Sequence, residues 1–315
     1  MPLVLASQAY PMSEPFARAT TPAQIPTLGG LSAVAGQYDL ILCDVWGVLH
    51  DGTRAHRGAG EALIRFRTLP EAGRRRRVIL VSNAPRPWAG VQTILDGYGV
   101  PREAYDAILT SGDLTRRLIA EHPGERIHHL GPERDATIFD GLDIRLVAAG
   151  EAERVVCTGL FDDTVETAED YRDTLAGFRA RDVPMICANP DLVVERKKKL
   201  IPCAGLIAQA YAEIGGSVTY AGKPYRPVYE AALAMAADLD GGTAPDVARV
   251  LAVGDALRTD IAGAAAYGIP NLLVARGIHA EELGVLAEHD TLGEVAEWLA
   301  RQEVHPDAVI ERLVW

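Results

Sequence analysis

The sequence predicts an α/β protein built on a doubly wound parallel sheet. Short, largely apolar runs recur along the 315 residues, and stretches of helical length separate them. Runs of three or four residues of this kind suit strands buried on both faces. Size adds a third observation: a chain this long exceeds what one hydrophobic core usually serves, so two domains are expected.

Taken in order, the strand runs are Leu40–Cys43, Val78–Val81, Ile127–Leu130, Val155–Cys157, Met185–Ala188, Val218–Tyr220, Val250–Val253 and Asn271–Val274. Between and after them Gly60–Arg67, Trp88–Tyr98, Asp113–Glu121, Ala168–Arg181, Leu206–Ile214, Pro227–Asp238, Thr259–Tyr267 and Leu292–Arg301 read as helices. Gly97, Gly99, Gly215, Gly216 and Gly268 supply stops. No internal repeat or low-complexity segment interrupts this rhythm, and the first 37 residues carry no functional signal.

Composition narrows the class. Apolar residues at 48% and charged residues at 23% describe a globular chain and exclude a disordered or fibrous one. No apolar run approaches 18 residues, so a membrane span is not expected. Met1–Tyr10 has no Lys or Arg ahead of its apolar run and reads as a poor signal peptide, which favours a cytoplasmic location. A net charge of −12 repels nucleic acid and anionic lipid, so neither is an expected partner; an anionic small molecule needs a local cation. The four cysteines form no C-x-x-C pair and read as reduced packing residues, with Cys203 beside Pro202 the most exposed. The basic runs Arg74–Arg77 and Arg196–Lys199 read as solvated approaches to strands, and the second lies near enough to Asn189-Pro190-Asp191 to attract an anion. Trp88, Trp298 and Trp315 read as packing residues.

In such a sheet, ligands bind beyond the carboxyl ends of the strands. Four run ends deliver polar groups there: Asp44, then Ser82-Asn83, then Lys223, then Asp255 followed by Asp260. A lone strand-end Asp is often only a helix cap. Four such ends on one sheet are harder to assign to capping, and together they suit phosphoryl chemistry. Asp44 and Asp255 offer the hard carboxylate oxygens that Mg²⁺ prefers. A carboxylate at the metal can attack phosphorus to form an aspartyl phosphate. Lys223, the Ser82 hydroxyl and the Asn83 backbone N–H supply positive charge and donors for the transferring group. Asp260 is placed to orient a metal-bound water or Lys223.

These segments, with Gly254-Asp255-x-x-Arg258-Thr259-Asp260-Ile261, Gly222-Lys223-Pro224 and Asn189-Pro190-Asp191, resemble the motifs of the haloacid dehalogenase (HAD) superfamily, class IIA, its sugar-phosphatase-like branch. The resemblance implies a HAD-like Rossmannoid core at residues 1–117 and 218–315, with an α/β cap domain of the C2 type inserted at 118–217. It implies Asp44 as nucleophile and metal ligand, Ser82, Asn83 and Lys223 as phosphate binders, and Asp255 as the second metal carboxylate. Asp260 becomes the second acid of the last motif, and Asn189 and Asp191 become specificity residues of the cap. It also allows a homodimer.

One position departs from the pattern. The superfamily's first motif reads Asp-x-Asp, and its second Asp protonates the leaving oxygen; here that residue is Trp46. The Trp46 backbone carbonyl can still ligate a metal, but an indole is no acid or base. Losing such help costs on the order of 10²–10⁴-fold in rate. His50 and Asp51 are the candidate replacements, although Asp51-Gly52 is equally a turn signal. The sequence therefore predicts a Mg²⁺-dependent phosphatase of a small, sugar-phosphate-like metabolite acting through an aspartyl phosphate on Asp44. The alternatives are a weakened relative that binds a phosphometabolite, or one restricted to good leaving groups. No G-x-G-x-x-G follows the first strand, the only Gly-Lys step runs into Pro224, and no G-x-S-x-G occurs. Dinucleotide, P-loop and α/β-hydrolase readings therefore fail.

Overall fold

The computed structural model describes residues 25–70, 75–196, 199–285 and 295–315. Of the stretches singled out above, most of the first 37 residues, Arg74, Lys197, Lys198 and the first three residues of the last predicted helix lie outside the described residues.

The strands run in chain order β1 (Thr27–Leu28), β2 (Leu40–Cys43), β3 (Arg77–Ser82), β4 (Ala107–Thr110), β5 (Arg126–Leu130), β6 (Arg145–Leu146), β7 (Arg154–Cys157), β8 (Met185–Cys187), β9 (Val193–Arg196), β10 (Lys199–Pro202), β11 (Val218–Tyr220), β12 (Val250–Gly254), β13 (Asn271–Val274) and β14 (Ala308–Ile310). The helices are α1 (Ala59–Thr68), α2 (Trp88–Tyr98), α3 (Ser111–Ala120), α4 (Arg172–Arg179), α5 (Ala204–Glu213), α6 (Arg226–Leu239), α7 (Ala262–Tyr267) and α8 (Val295–Leu299). Local signals set several ends. Thr110 and Asp113 close a reciprocal capping box at the start of α3, and α2 stops at Gly99, whose φ of 78° suits a residue without Cβ.

A seven-stranded sheet has the order β1-β14-β13-β12-β2-β3-β4, and a five-stranded one the order β11-β8-β7-β5-β6. All pairings in both are parallel; β9 and β10 form a separate antiparallel pair. From β2 the chain moves outward through β3 and β4, then resumes on the other side with β12. The order reverses between β2 and β12, which opens a crevice beyond their carboxyl ends.

Side-chain alternation covers both faces of the large sheet. Ile41, Cys43, Val78, Leu80, Leu251 and Val253 pack with α1 and α2, whereas Leu40, Leu42, Ile79, Val81 and Ala252 face α6. The second cluster continues into the small sheet through Ile127, Val156 and Ile186, so one apolar core spans both sheets. Each fully buried Leu or Ile there contributes roughly 1.5–3 kcal/mol. The small sheet's other face packs on α4 and α5.

The four cysteines are free and buried, and Cys203, at 7%, is the most exposed of them, as expected. Three expectations are corrected. Val218–Tyr220 belongs to the small sheet, paired with β8, rather than to the large one. Trp88 is 49% exposed, because the face of α2 that meets the core is the one bearing Val91 and Leu95. The second half of the first basic run is not solvated: Arg75 is exposed, but Arg76 is buried against Phe66 and Arg77 pairs with Asp106 and Asp240. Among the described residues, no helix is long and apolar enough to cross a membrane.

Candidate active site

Asp44 and Asp255 leave adjacent strands at the reversal point. Cys43 lies in register with Val253, and the Asp44 N–H donates to the Val253 carbonyl at 2.8 Å. Asp260 follows on a π-helical turn, Leu257–Ile261, and its Oδ2 accepts the Ala256 N–H at 3.1 Å. Carboxylate oxygens of Asp44, Asp255 and Asp260 all lie within 4.8 Å of one another. Lys223 arrives from the small sheet, three residues past the end of β11. Its Nζ donates to Asp44 Oδ1 at 2.5 Å and to Asp260 Oδ1 at 2.6 Å. The four predicted groups thus converge, although one comes from a different sheet.

Asn83, just past β3, makes that convergence possible. Its Oδ1 accepts the Lys223 backbone N–H at 2.8 Å, and its Nδ2 donates to the Lys223 carbonyl at 3.1 Å. One amide thereby fixes the lysine's main chain from both sides. Ser82 Oγ accepts the Ala84 N–H at 3.2 Å, which leaves its hydroxyl proton to donate. Close approach demands glycine nearby. A Cβ on Gly47, where φ is 83°, would stand 1.9 Å from Asp255 Oδ2, and one on Gly222 would meet Ser111 Oγ at 2.2 Å.

The electrostatics are unbalanced. Asp44, Asp255, Asp260 and Lys223 are each at most 8% exposed. Burial pushes the Asp44 carboxyl up to about 7 against the pull of Lys223, with Asp260 adding to the rise. Burial, then Asp44 and Asp260, holds Asp255 well above the usual carboxylate range. Lys223 is held well above the usual amine range although burial opposes its charge, because Asp260 and Asp44 flank it. Ionised together, the three buried carboxylates would outnumber the one ammonium by two charges, in a donor set made of hard oxygens. A divalent cation fits that deficit.

The other predicted residues divide. The Trp46 indole turns away from acid–base duty: its Nε1–H donates to the Glu195 carbonyl on β9 at 2.8 Å. His50 is 3% exposed, its Nδ1 accepts the Gly52 N–H at 3.0 Å, and its ring lies between those of Trp46 and Tyr98. Burial lowers its pKa to about 4, so the ring stays neutral. Asp51 Oδ1 accepts from Thr53 N, Thr53 Oγ and Arg54 N. Burial raises its pKa, but those hydrogen bonds outweigh it and keep the carboxylate ionised. Both proposed replacement acids are therefore committed to the turn after Trp46, because an Asx turn takes the carboxylate and burial keeps the imidazole unprotonated. Asn189 is likewise local: its Oδ1 accepts the Asp191 N–H at 3.1 Å. Asp191 reaches the site, where its Oδ1 accepts from Asn83 Nδ2 at 2.8 Å.

These groups line a cavity of about 270 Å³ between the large sheet and the loops after β7 and β8. Three ion pairs there join residues far apart in the sequence. Arg86 pairs with buried Asp135 at 3.0 Å, and Asp163 holds both Arg134 and Arg196 at 2.7 Å. Only Arg196 stood out, as part of a basic run.

Two family profiles match the chain: one described as haloacid dehalogenase-like hydrolase at residues 41–145, the other as HAD-hydrolase-like at 220–314. Among solved structures, a hydrolase of the haloacid dehalogenase-like family from Brucella suis is 45% identical. It has a TM-score of 0.79 over 91% of this chain and 100% of that one. A glycerol phosphate phosphatase from Mycobacterium tuberculosis, in complex with magnesium, is 25% identical with a TM-score of 0.58, covering 86% of this chain and 78% of that one. A D-glycerol 3-phosphate phosphatase from Mycobacterium tuberculosis is 28% identical over 262 residues, which is 82% of this chain and 69% of the relative.

Proposed function

The chain belongs to the haloacid dehalogenase-like hydrolases and acts on phosphate esters, and we propose that it is a Mg²⁺-dependent phosphatase of a small, sugar-phosphate-like metabolite that works through an aspartyl phosphate on Asp44. The observation that carries this reading is the buried contact of Lys223 with both Asp44 and Asp260, beside the carboxylate of Asp255.

Asp44, Asp255 and the backbone carbonyl of Trp46 would hold the cation, with Asp260 behind them. Bound Mg²⁺ neutralises charge on the phosphoryl oxygens. Lys223 grips Asp44 Oδ1, which leaves Oδ2 to attack phosphorus while the ester P–O bond breaks. The Ser82 hydroxyl and the Asn83 backbone N–H donate to the equatorial oxygens as charge spreads onto them. Water then cleaves the acyl phosphate and regenerates Asp44. In this reading the region at 118–217, extended to take in β11, is a cap over the core of 1–117 and the remainder of 218–315. It covers the strand ends and keeps bulk water from the reaction.

Asp44→Asn tests the reading. It keeps the side chain's shape and removes the nucleophile, so phosphate release should drop by about 10³-fold or more. Undiminished turnover would refute the assignment.

A further inference from the structure

We infer that Asp191 donates the proton to the leaving oxygen, the role that Trp46 leaves unfilled. This assignment rests on the phosphatase reading above.

Seven aspartates line the cavity among the described residues. Asp44, Asp255 and Asp260 converge on the cation position. Asp51 closes its turn, Asp135 pairs with Arg86, and Asp163 pairs with Arg134 and Arg196. Asp191 belongs to none of these groups: it lies outside the three-carboxylate cluster, closes no turn and forms no ion pair among the described residues, and its side chain accepts from the amide of Asn83. Burial lifts its carboxyl to about 6, against Lys223 and the Asn83 hydrogen bond, with Asp260 adding to the rise and Arg258 opposing it. Asp44 and the thiols of Cys187 and Cys203 are the other titratable groups that sense it. A carboxyl in that range holds a proton in part of the population near neutral pH and releases it readily.

Its position is also suitable. In-line displacement places the leaving oxygen opposite the attacking one. In this assignment the leaving oxygen points toward the loop after β8, which lines the same cavity as Asp44 from the small sheet's side and where Asn189 Oδ1 fixes the Asp191 main chain. Asn83 connects the two sides. Its backbone N–H belongs to the phosphate-binding step, while its side chain holds both Lys223 and Asp191.

The proton balance closes. As Asp44 bonds to phosphorus, the ester P–O bond breaks, its electron pair stays on the leaving oxygen, and the Asp191 proton moves there. The Asp191 carboxylate then takes a proton from the water that attacks the acyl phosphate. Phosphate leaves, and both aspartates return to their starting forms.

Single-turnover phosphoryl transfer with Mg²⁺ tests this, using 4-nitrophenyl phosphate, whose leaving group needs no proton, and glycerol 3-phosphate, whose alkoxide does. Asp191→Asn should slow transfer from glycerol 3-phosphate about 10²-fold more than transfer from 4-nitrophenyl phosphate. Asp191→Glu should recover part of that ratio. A ratio read on one preparation does not change with the fraction folded, and loss of a merely structural contact would slow both esters alike. Equal slowing of both, slowing of neither, or a wild type that uses only the aryl ester overturns the assignment. If the wild type uses neither ester, the phosphatase reading fails and this inference falls with it.

Discussion

At the scale of single residues, the charge deficit of the buried cluster has a testable sign. Among the described residues Asp255 forms no ion pair; its Oδ2 accepts the Ile278 N–H at 2.7 Å, with Asp44 and Asp260 as neighbours. An asparagine there keeps a hydrogen-bond acceptor and removes repulsion. Asp255→Asn should therefore melt higher than the wild type without metal, at roughly 2–4 °C per kcal/mol gained. The same change should abolish the upward shift that Mg²⁺ gives the wild type, since binding to the folded state is what stabilises it. Thermal melts with and without Mg²⁺ read both effects; a lower metal-free melting temperature would contradict the deficit. The residues of this cluster were legible because each ends an apolar run with a polar side chain. The Asn83 contacts with Lys223 and Asp191 were not, because they join positions 140 and 108 residues apart and leave no local pattern.

At the scale of elements, the pair β9–β10 depends on two side chains from elsewhere. Trp46 donates to the Glu195 carbonyl, and Asp163 holds Arg196. Trp46→Phe keeps most of the ring and deletes the indole donor, a loss of about 1 kcal/mol. Trypsin should then cut faster within the basic run Arg196–Lys199, read as the rate of appearance of that cleavage. An unchanged rate would mean that the indole does not hold the hairpin. The apolar runs located eight of the strands but not β1, β4, β6, β9, β10 or β14. Ala107–Thr110 runs directly into the cap of α3, and the faces of β9 and β10 are only partly buried, so neither shows a closed apolar run. Val218–Tyr220 was found but assigned to the wrong sheet, because burial marks a strand without naming its neighbour; pairing is a long-range property that local pattern does not encode.

At the scale of the whole molecule, the polar contacts that tie the large sheet's loops to the small sheet's side include those of Lys223 with Asn83, Asp44 and Asp260, and also Asn83–Asp191, Trp46–Glu195 and Arg86–Asp135. The last is an ion pair whose carboxylate is 4% exposed and whose guanidinium is 30% exposed. Burial already raises the Asp135 pKa, and Arg86 is the strongest influence lowering it. Arg86→Met keeps the aliphatic stem and removes that cation, which leaves a buried charge without its hydrogen-bonded partner. Breaking such a pair costs about 3–5 kcal/mol. The pH dependence has a fixed sign. In the variant the folded-state pKa of Asp135 rises further above its unfolded value, so the folded state binds the proton more readily than the unfolded chain. The variant's deficit relative to the wild type is then complete above its own folded pKa and closes as pH falls to the wild type's lower folded pKa, since the unfolded chain titrates alike in both. Denaturant titrations of wild type and Arg86→Met across the acidic to neutral range should converge as the solution becomes more acidic. A gap that stays constant or widens on acidification would show that Asp135 is not the group whose charge Arg86 compensates.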